Sequence, residues 1–329
     1  MPIILSICIP TYNRALFLPQ AIESIISQAT DEVEIIICDN ASTDNTAELI
    51  AAYKETFENL VYFRWGKNMG YDVNMLKAIE LARGKYCWIL GSDDAIKDSS
   101  ISIILDEIKN DYDIYIFNRT ECNIELQPMQ DRCWLSNNES LEYNLNNKKE
   151  FIAYLNSATS LGAIFSYIST NVFRKEIWSA IKCEAPFVGS EYSHVYMWLS
   201  FSHQTCLLKY INKPLVMCRM GNDDLVKQGN VIKRFLLDID GYLLMAESIF
   251  TDLDVQQAFL NVMQREHPWI NILHIRRIAE TEEWMDIEPK LIRYGYNQNI
   301  LKAMRSKILT KMLLKYFKLE KRLNKLRKL

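Results

Sequence analysis

Four short apolar runs rich in β-branched and aromatic residues, at 3–9, 33–38, 60–65 and 85–90, each end in a polar motif and are separated by stretches long enough for one helix. Continuous apolar character marks strands buried on both faces, the signature of a parallel sheet covered by helices. Parallel neighbours need right-handed crossovers, and the intervening stretches supply them. Leu16, Ile22, Ile25 and Ile26 fall on one helical stripe, and Ala47, Ile50, Ala51 and Phe57 on the next, behind the cap-like Ser42-Thr43-Asp44. A third helix is predicted over 71–83, with Gly84 suiting its C-terminus. The expected fold is α/β: a mixed, mostly parallel sheet with helices on both faces.

The polar motifs are Pro10-Thr11-Tyr12-Asn13-Arg14, Asp39 to Asp44, Asn68-Met69-Gly70 and Ser92-Asp93-Asp94. Strand ends of one parallel sheet share one edge, and that edge is where open α/β folds bind ligands. The first turn contains no glycine, so a dinucleotide fingerprint is excluded, and no Gly-x-x-x-x-Gly-Lys loop occurs. A nucleotide at this edge must be held differently.

In order and spacing the four motifs resemble the inverting GT-A glycosyltransferases of family 2, whose N-terminal halves start with a Pro-x-Tyr-Asn turn. The likeness covers about residues 5–118. It implies a Rossmann-like nucleotide-diphospho-sugar transferase fold and a donor site formed by Pro10, Tyr12, Asn13, Arg14, Asp39, Asn68, Gly70, Ser92 and Asp93. Tyr12 and Asp39 would hold the base, and Asp94 with Asp93 would hold Mn²⁺ or Mg²⁺. The residue chemistry agrees, because a tyrosine ring offers a flat face and an aspartate accepts from base N–H groups. Paired carboxylates suit a hard cation whose coordination a diphosphate completes. Arg14 either contacts phosphate or is solvated. Asp39 has a second reading as a helix cap, Ser92-Asp93-Asp94 as a cap or turn, and Asn68-Met69-Gly70 as a plain turn.

The second half holds a polar, asparagine-rich stretch over 131–150, expected to be a loop, an insertion or a lid. A strand leading into a helix follows at 171–176. Inverting transfer needs a general base, which the resemblance places near Phe187 to His194; the family's usual Glu-Asp pair is absent there. Glu191 and His194 are the two candidates, and a buried structural role is the alternative for His194. Tyr192 and Trp198 are either acceptor-stacking or core residues. The runs 206–210 and 215–219 flank Ile211-Asn212-Lys213-Pro214, a hairpin-like signal.

Over 302–328 eleven Lys or Arg face a single acid, Glu320, and Leu301, Met304, Ile308, Met312, Tyr316, Leu319, Leu323 and Leu326 recur at spacings of three and four. The tail carries +10 and the remainder −13 of the net −3. Such a basic amphipathic helix lies on an anionic membrane, packs on its own domain, or forms the seam of a homodimer. Nucleic acid is disfavoured, because the tail has a regular leucine-rich face and no aromatic stacking platform. With no stretch of about twenty apolar residues and no leader before the first strand, the expected place is the cytoplasm, at the inner face of its membrane. The eight cysteines show no Cys-x-x-Cys spacing and read as free thiols.

The expected organisation is a catalytic domain at 1–225, split into a nucleotide-sugar half at 1–118 and an acceptor half at 119–225, followed by a helical region at 226–329. The second half is most similar to O-antigen sugar transferases, among them an abequosyltransferase-like group using CDP-dideoxyhexoses; UDP, GDP and dTDP donors stay open. The implied partners are a nucleotide-diphosphate sugar and a glycan acceptor on a polyprenyl diphosphate lipid. A nucleotide- or glycan-binding protein that keeps the fold without the chemistry is the alternative.

Overall fold

The computed structural model describes residues 1–201, 206–222 and 230–326. The strands β1 (Leu5–Thr11), β2 (Val33–Asp39), β3 (Leu60–Arg64) and β4 (Tyr86–Ile89) run parallel in the spatial order β3-β2-β1-β4. Their crossovers are α1 (Leu18–Ile26), α2 (Thr46–Thr56) and α3 (Tyr71–Leu81). Beyond them come β5 (Ala95–Ile96), α4 (Ser100–Glu107), β6 (Ile114–Cys122), β7 (Pro128–Arg132), β8 (Leu141–Asn144), α5 (Lys148–Ser157), β9 (Asn171–Arg174), α6 (Lys175–Ala180), α7 (Ser193–Ser200) and β10 (Leu207–Arg219). The strand β9 lies antiparallel between β4 and β6, and β10 continues the sheet parallel to β6, so the sheet is mixed as expected.

Side chains of both sheet faces are buried, with Ile7, Ile9, Ile35, Ile37, Trp88 and Phe117 in one core with Leu18, Ile22 and Ile25 of α1. Leu16, expected on that stripe, is exposed instead, because the helix begins after it. Gly84 does not end α3, which stops at Leu81. A Cβ at Gly84 would lie 2.7 Å from Ser6 Oγ and 2.8 Å from Ser6 N, so the glycine lets the chain press against β1.

Two other expectations change, and one about the cysteines holds. The segment 207–219 is one strand, not a hairpin. Both halves pair with β6, and the register shifts between Ile211 and Val216 absorb Pro214, which has no N–H to give the ladder. The polar stretch 131–150 is only in part a loop: it includes the end of β7, all of β8 and the start of α5, whose N-cap Asn147 accepts from the N–H groups of Lys149 and Glu150. All eight cysteines are free, six of them buried.

The chain divides into two units, Met1–Ala158 with Gly162–Asn222, and Thr159–Leu161 with Asp223–Leu329. The described part of the second is helical, with helices at Val231–Ile249, Leu253–Glu266, Trp269–Ile278, Thr281–Arg293, Gln298–Ala303 and Lys307–Leu326. The single helix expected over 302–328 is therefore broken. At the break the buried Arg276 guanidinium donates to the carbonyls of Met304 at 2.8 Å and Arg305 at 3.2 Å. Leu301 and Met304 pack inward, and after the break Thr310 and Leu314 do so, leaving Ile308 74% and Met312 62% exposed, with Tyr316 beside them. The surroundings of Leu319, Leu323 and Leu326 lie outside the described residues. No described helix is long and apolar enough to cross a membrane.

Candidate active site

The first two strand-end turns are clasped together. Asn13, held at φ 53°, donates its backbone N–H to Ser42 Oγ at 2.9 Å, and its side-chain oxygen accepts the Thr43 N–H at 2.7 Å. Asp44 accepts the Ala15 N–H at 3.1 Å and the Thr46 hydroxyl at 2.6 Å, so it serves the start of α2. Pro10 is buried at the end of β1, Tyr12 projects with 42% exposure, and Arg14 is half-buried.

Asp39 is fully buried. Its carboxylate accepts the Ser42 N–H and the Tyr62 hydroxyl, both at 2.8 Å, with Arg64 Nε at 3.4 Å. The cap reading fails in its simple form, since α2 is served by Asp44. A base N–H reaching Asp39 must share or displace the Tyr62 hydroxyl.

The turn Asn68-Met69-Gly70 is held by Asn40, which accepts the Met69 N–H at 2.7 Å and donates to Asn68 Oδ1 at 2.8 Å and the Gly70 carbonyl at 3.2 Å. Gly70 sits at φ 86°, where a side chain would be strained. Below it the buried Asn74 donates to the Cys38 carbonyl at 2.9 Å and so ties α3 to the end of β2.

The acid pair divides its labour. Asp94 is 3% exposed and accepts from Ser169 at 2.6 Å, Tyr167 at 2.7 Å and the Arg219 N–H at 3.1 Å. Burial, reinforced by the neighbouring Asp93 charge, pushes its carboxyl up to about 7. Asp93 is half-buried, accepts from the Asn222 amide, and gives its carbonyl to Arg219 Nε at 2.9 Å. Ser92 is buried. A Cβ at Gly91 would approach Asp94 Oδ2 to 2.9 Å, so glycine is needed beside the pair. Two adjacent carboxylates, one of them driven towards neutrality chiefly by burial, form a donor set that a divalent cation suits by supplying the opposite charge. Among the described residues no group of three or more His, Cys, Asp or Glu is placed to hold a metal ion by itself.

In the second half of the sheet unit the turn before α7 presents Glu191, exposed and at φ 63°. Asp72, in the first turn of α3 and only 2% exposed, accepts the N–H groups of Gly189 at 2.6 Å and Glu191 at 3.0 Å and the Ser193 hydroxyl at 2.6 Å. Hydrogen bonds to a charged acceptor contribute roughly 1.5–3 kcal/mol each, so this turn is firmly held. His194 is buried among rings, edge-on to Trp198 at 5.5 Å and Tyr71 at 6.3 Å. Tyr192 and Trp198 are core residues, Trp198 packing on Phe165, Phe173 and Trp178.

The structure thus gathers the expected strand-end residues and adds Asn40, Asp72, Asn74, Tyr167, Ser169 and Arg219. Little in the residue pattern pointed to these. Polar residues inside a helix, such as Asp72 and Asn74, read as solvent-facing, and only the weak apolar stripe of α3 hinted at buried polar work.

Comparison with known proteins bears on the family and the fold. The model of glycosyl transferase family 2 matches residues 6–172. The chain is 36% identical over 309 residues to abequosyltransferase RfbV of Salmonella typhimurium, covering 92% of both. To GalNAc(5)-diNAcBac-PP-undecaprenol beta-1,3-glucosyltransferase of Campylobacter jejuni it is 24% identical over 253 residues, 76% of this chain and 75% of the relative. The structure of S. aureus TarS 1-349 in complex with UDP superposes with a TM-score of 0.65 at 14% identity, covering 97% of this chain and 92% of the other.

Proposed function

The chain belongs to glycosyl transferase family 2, and we propose that it moves a sugar from a nucleotide-diphosphate donor to a hydroxyl of a lipid-linked glycan, with inversion, in the assembly of a bacterial O-antigen. The observation that carries this is the 36% identity to an abequosyltransferase along 92% of both chains. The Campylobacter relative, named for an undecaprenol-linked substrate, supports the lipid-linked acceptor.

In this reading Tyr12 offers its ring to the base beside Asp39, and Asn68 and Gly70 border the sugar. Arg14 stands near the diphosphate. A divalent cation, Mn²⁺ or Mg²⁺, would be held by Asp93, with Asp94 fixing the turn, and when bound it stabilises the departing nucleotide diphosphate. Glu191 takes the proton of the acceptor hydroxyl. The acceptor oxygen then bonds to the anomeric carbon as the bond to the diphosphate oxygen breaks on the opposite face, its electron pair leaving with the nucleotide. His194, buried among rings, is a packing residue in this reading.

Calorimetric titration with UDP, CDP, GDP and dTDP, each with Mn²⁺ and with EDTA, tests the donor. One nucleotide is expected to bind, more tightly with the cation, and CDP is the first choice. If none binds, the donor assignments lose their footing and a non-catalytic role takes over.

Peripheral membrane contact is the second element of the reading. After the helix break Ile308, Met312 and Tyr316 are exposed, with Lys307, Lys311 and Lys315 exposed on the same helix. Apolar residues entering the acyl boundary with lysines at the headgroups suit an anionic surface, where each basic residue near it is worth about 1 kcal/mol. Ile308→Glu with Met312→Glu should release the protein from phosphatidylglycerol vesicles in a flotation assay; full retention would count against this contact.

A further inference from the structure

We infer that Asp72 is the positioning residue for acceptor activation, which rests on the reading of Glu191 as the general base. A glutamate at φ 63° occupies backbone space that L side chains enter only when their surroundings impose it. Here the imposing group is one carboxylate. Asp72 Oδ2 receives the N–H groups on either side of Ser190, from Gly189 at 2.6 Å and Glu191 at 3.0 Å, while Oδ1 receives the Ser193 hydroxyl at 2.6 Å. Gly189, at φ 94°, has no atom within 4 Å of where its Cβ would lie, so its glycine serves the bend of the chain rather than close packing.

Asp72 is also anchored on the donor side. It lies two residues after Gly70, in the turn that Asn40 holds, and two before Asn74, which is bonded to the end of β2. The first turn of α3 favours its negative charge through the helix dipole. One buried side chain thus joins the strand-end turns of the sheet to the segment presenting Glu191. Asp72 acts through geometry. Its asparagine can keep all three bonds, the amide oxygen accepting both N–H groups and the amide nitrogen donating to Ser193 Oγ. A glutamate keeps the charge and moves it by one methylene.

The test compares Asp72→Ala, Asp72→Asn and Asp72→Glu, alone and with Glu191→Gln, in transfer from the nucleotide sugar selected by the titration above to a polyprenyl-diphosphate-linked glycan. Amide hydrogen exchange over residues 187–193 is read in parallel. D72A and D72E should lower kcat about 10²-fold with donor KM unchanged, and should speed exchange at Gly189 and Glu191. D72N should stay near wild type in both. In the E191Q background D72A should cost nothing further, because its effect passes through Glu191.

Active D72E with inactive D72N would overturn the inference by making charge the requirement. Wild-type kcat in D72A would overturn it too, as would an undiminished D72A effect in E191Q. Should D72A fail to fold, the contrast of D72N with D72E decides alone. Undiminished transfer by E191Q itself would instead remove the base assignment, whatever Asp72 does.

Discussion

Replacing Glu191 by glutamine lowers kcat by about 10²- to 10⁴-fold and leaves donor affinity near wild type. The amide matches the carboxylate in shape and cannot take a proton, so the loss reports proton transfer alone. Glu191 is exposed and its backbone stays tied to Asp72, so the substitution leaves the turn in place. Single-turnover transfer with saturating donor separates the chemical step from binding. Undiminished transfer would take the base role away from Glu191, leaving His194, packed beside Tyr71, Tyr192 and Trp198, as the other candidate of this segment.

Asp93→Ala removes cation-dependent nucleotide binding and lowers transfer on the order of 10³-fold. That figure corresponds to the several kcal/mol that a bound cation supplies to a departing diphosphate. Titration of the variant should give the same weak affinity with Mn²⁺ as with EDTA; a persisting cation effect would return the ligand role to Asp94. Asp94→Ala differs in kind. It strands the hydroxyls of Tyr167 and Ser169 and the N–H of Arg219, so its first symptom is lost thermal stability rather than lost cation dependence.

The parallel half was legible because β1, β2 and β4 are apolar on both faces and end in polar motifs that can sit only at one edge. The bulged course of β10 was not, since Asn212 and Pro214 carry the composition of a turn and only pairing with β6 shows that the strand continues. Adjacency in sequence also concealed the difference between Asp93 and Asp94: successive residues point to different surroundings, and burial by Tyr167 and Ser169 comes from a segment over seventy residues away. The tail's amphipathic pattern was visible, but the packed face is set by Arg276 and its carbonyl partners rather than by the most apolar stripe.

Arg219 closes the acid-pair turn from far along the chain, reaching back 125 residues to Asp94 and 199 to Gln20, whose side-chain oxygen it holds at 2.6 Å. Contacts of such separation form late, because their loop closure comes before any compensating contact. A ribosome-bound chain stalled before residue 207 would hold β1 to β4 in full, yet its acid-pair turn would lack its clamp. The clamped form of this turn should therefore arrive in one step during synthesis, when β10 docks beside β6, well after the turns that end β1 and β2 have been made.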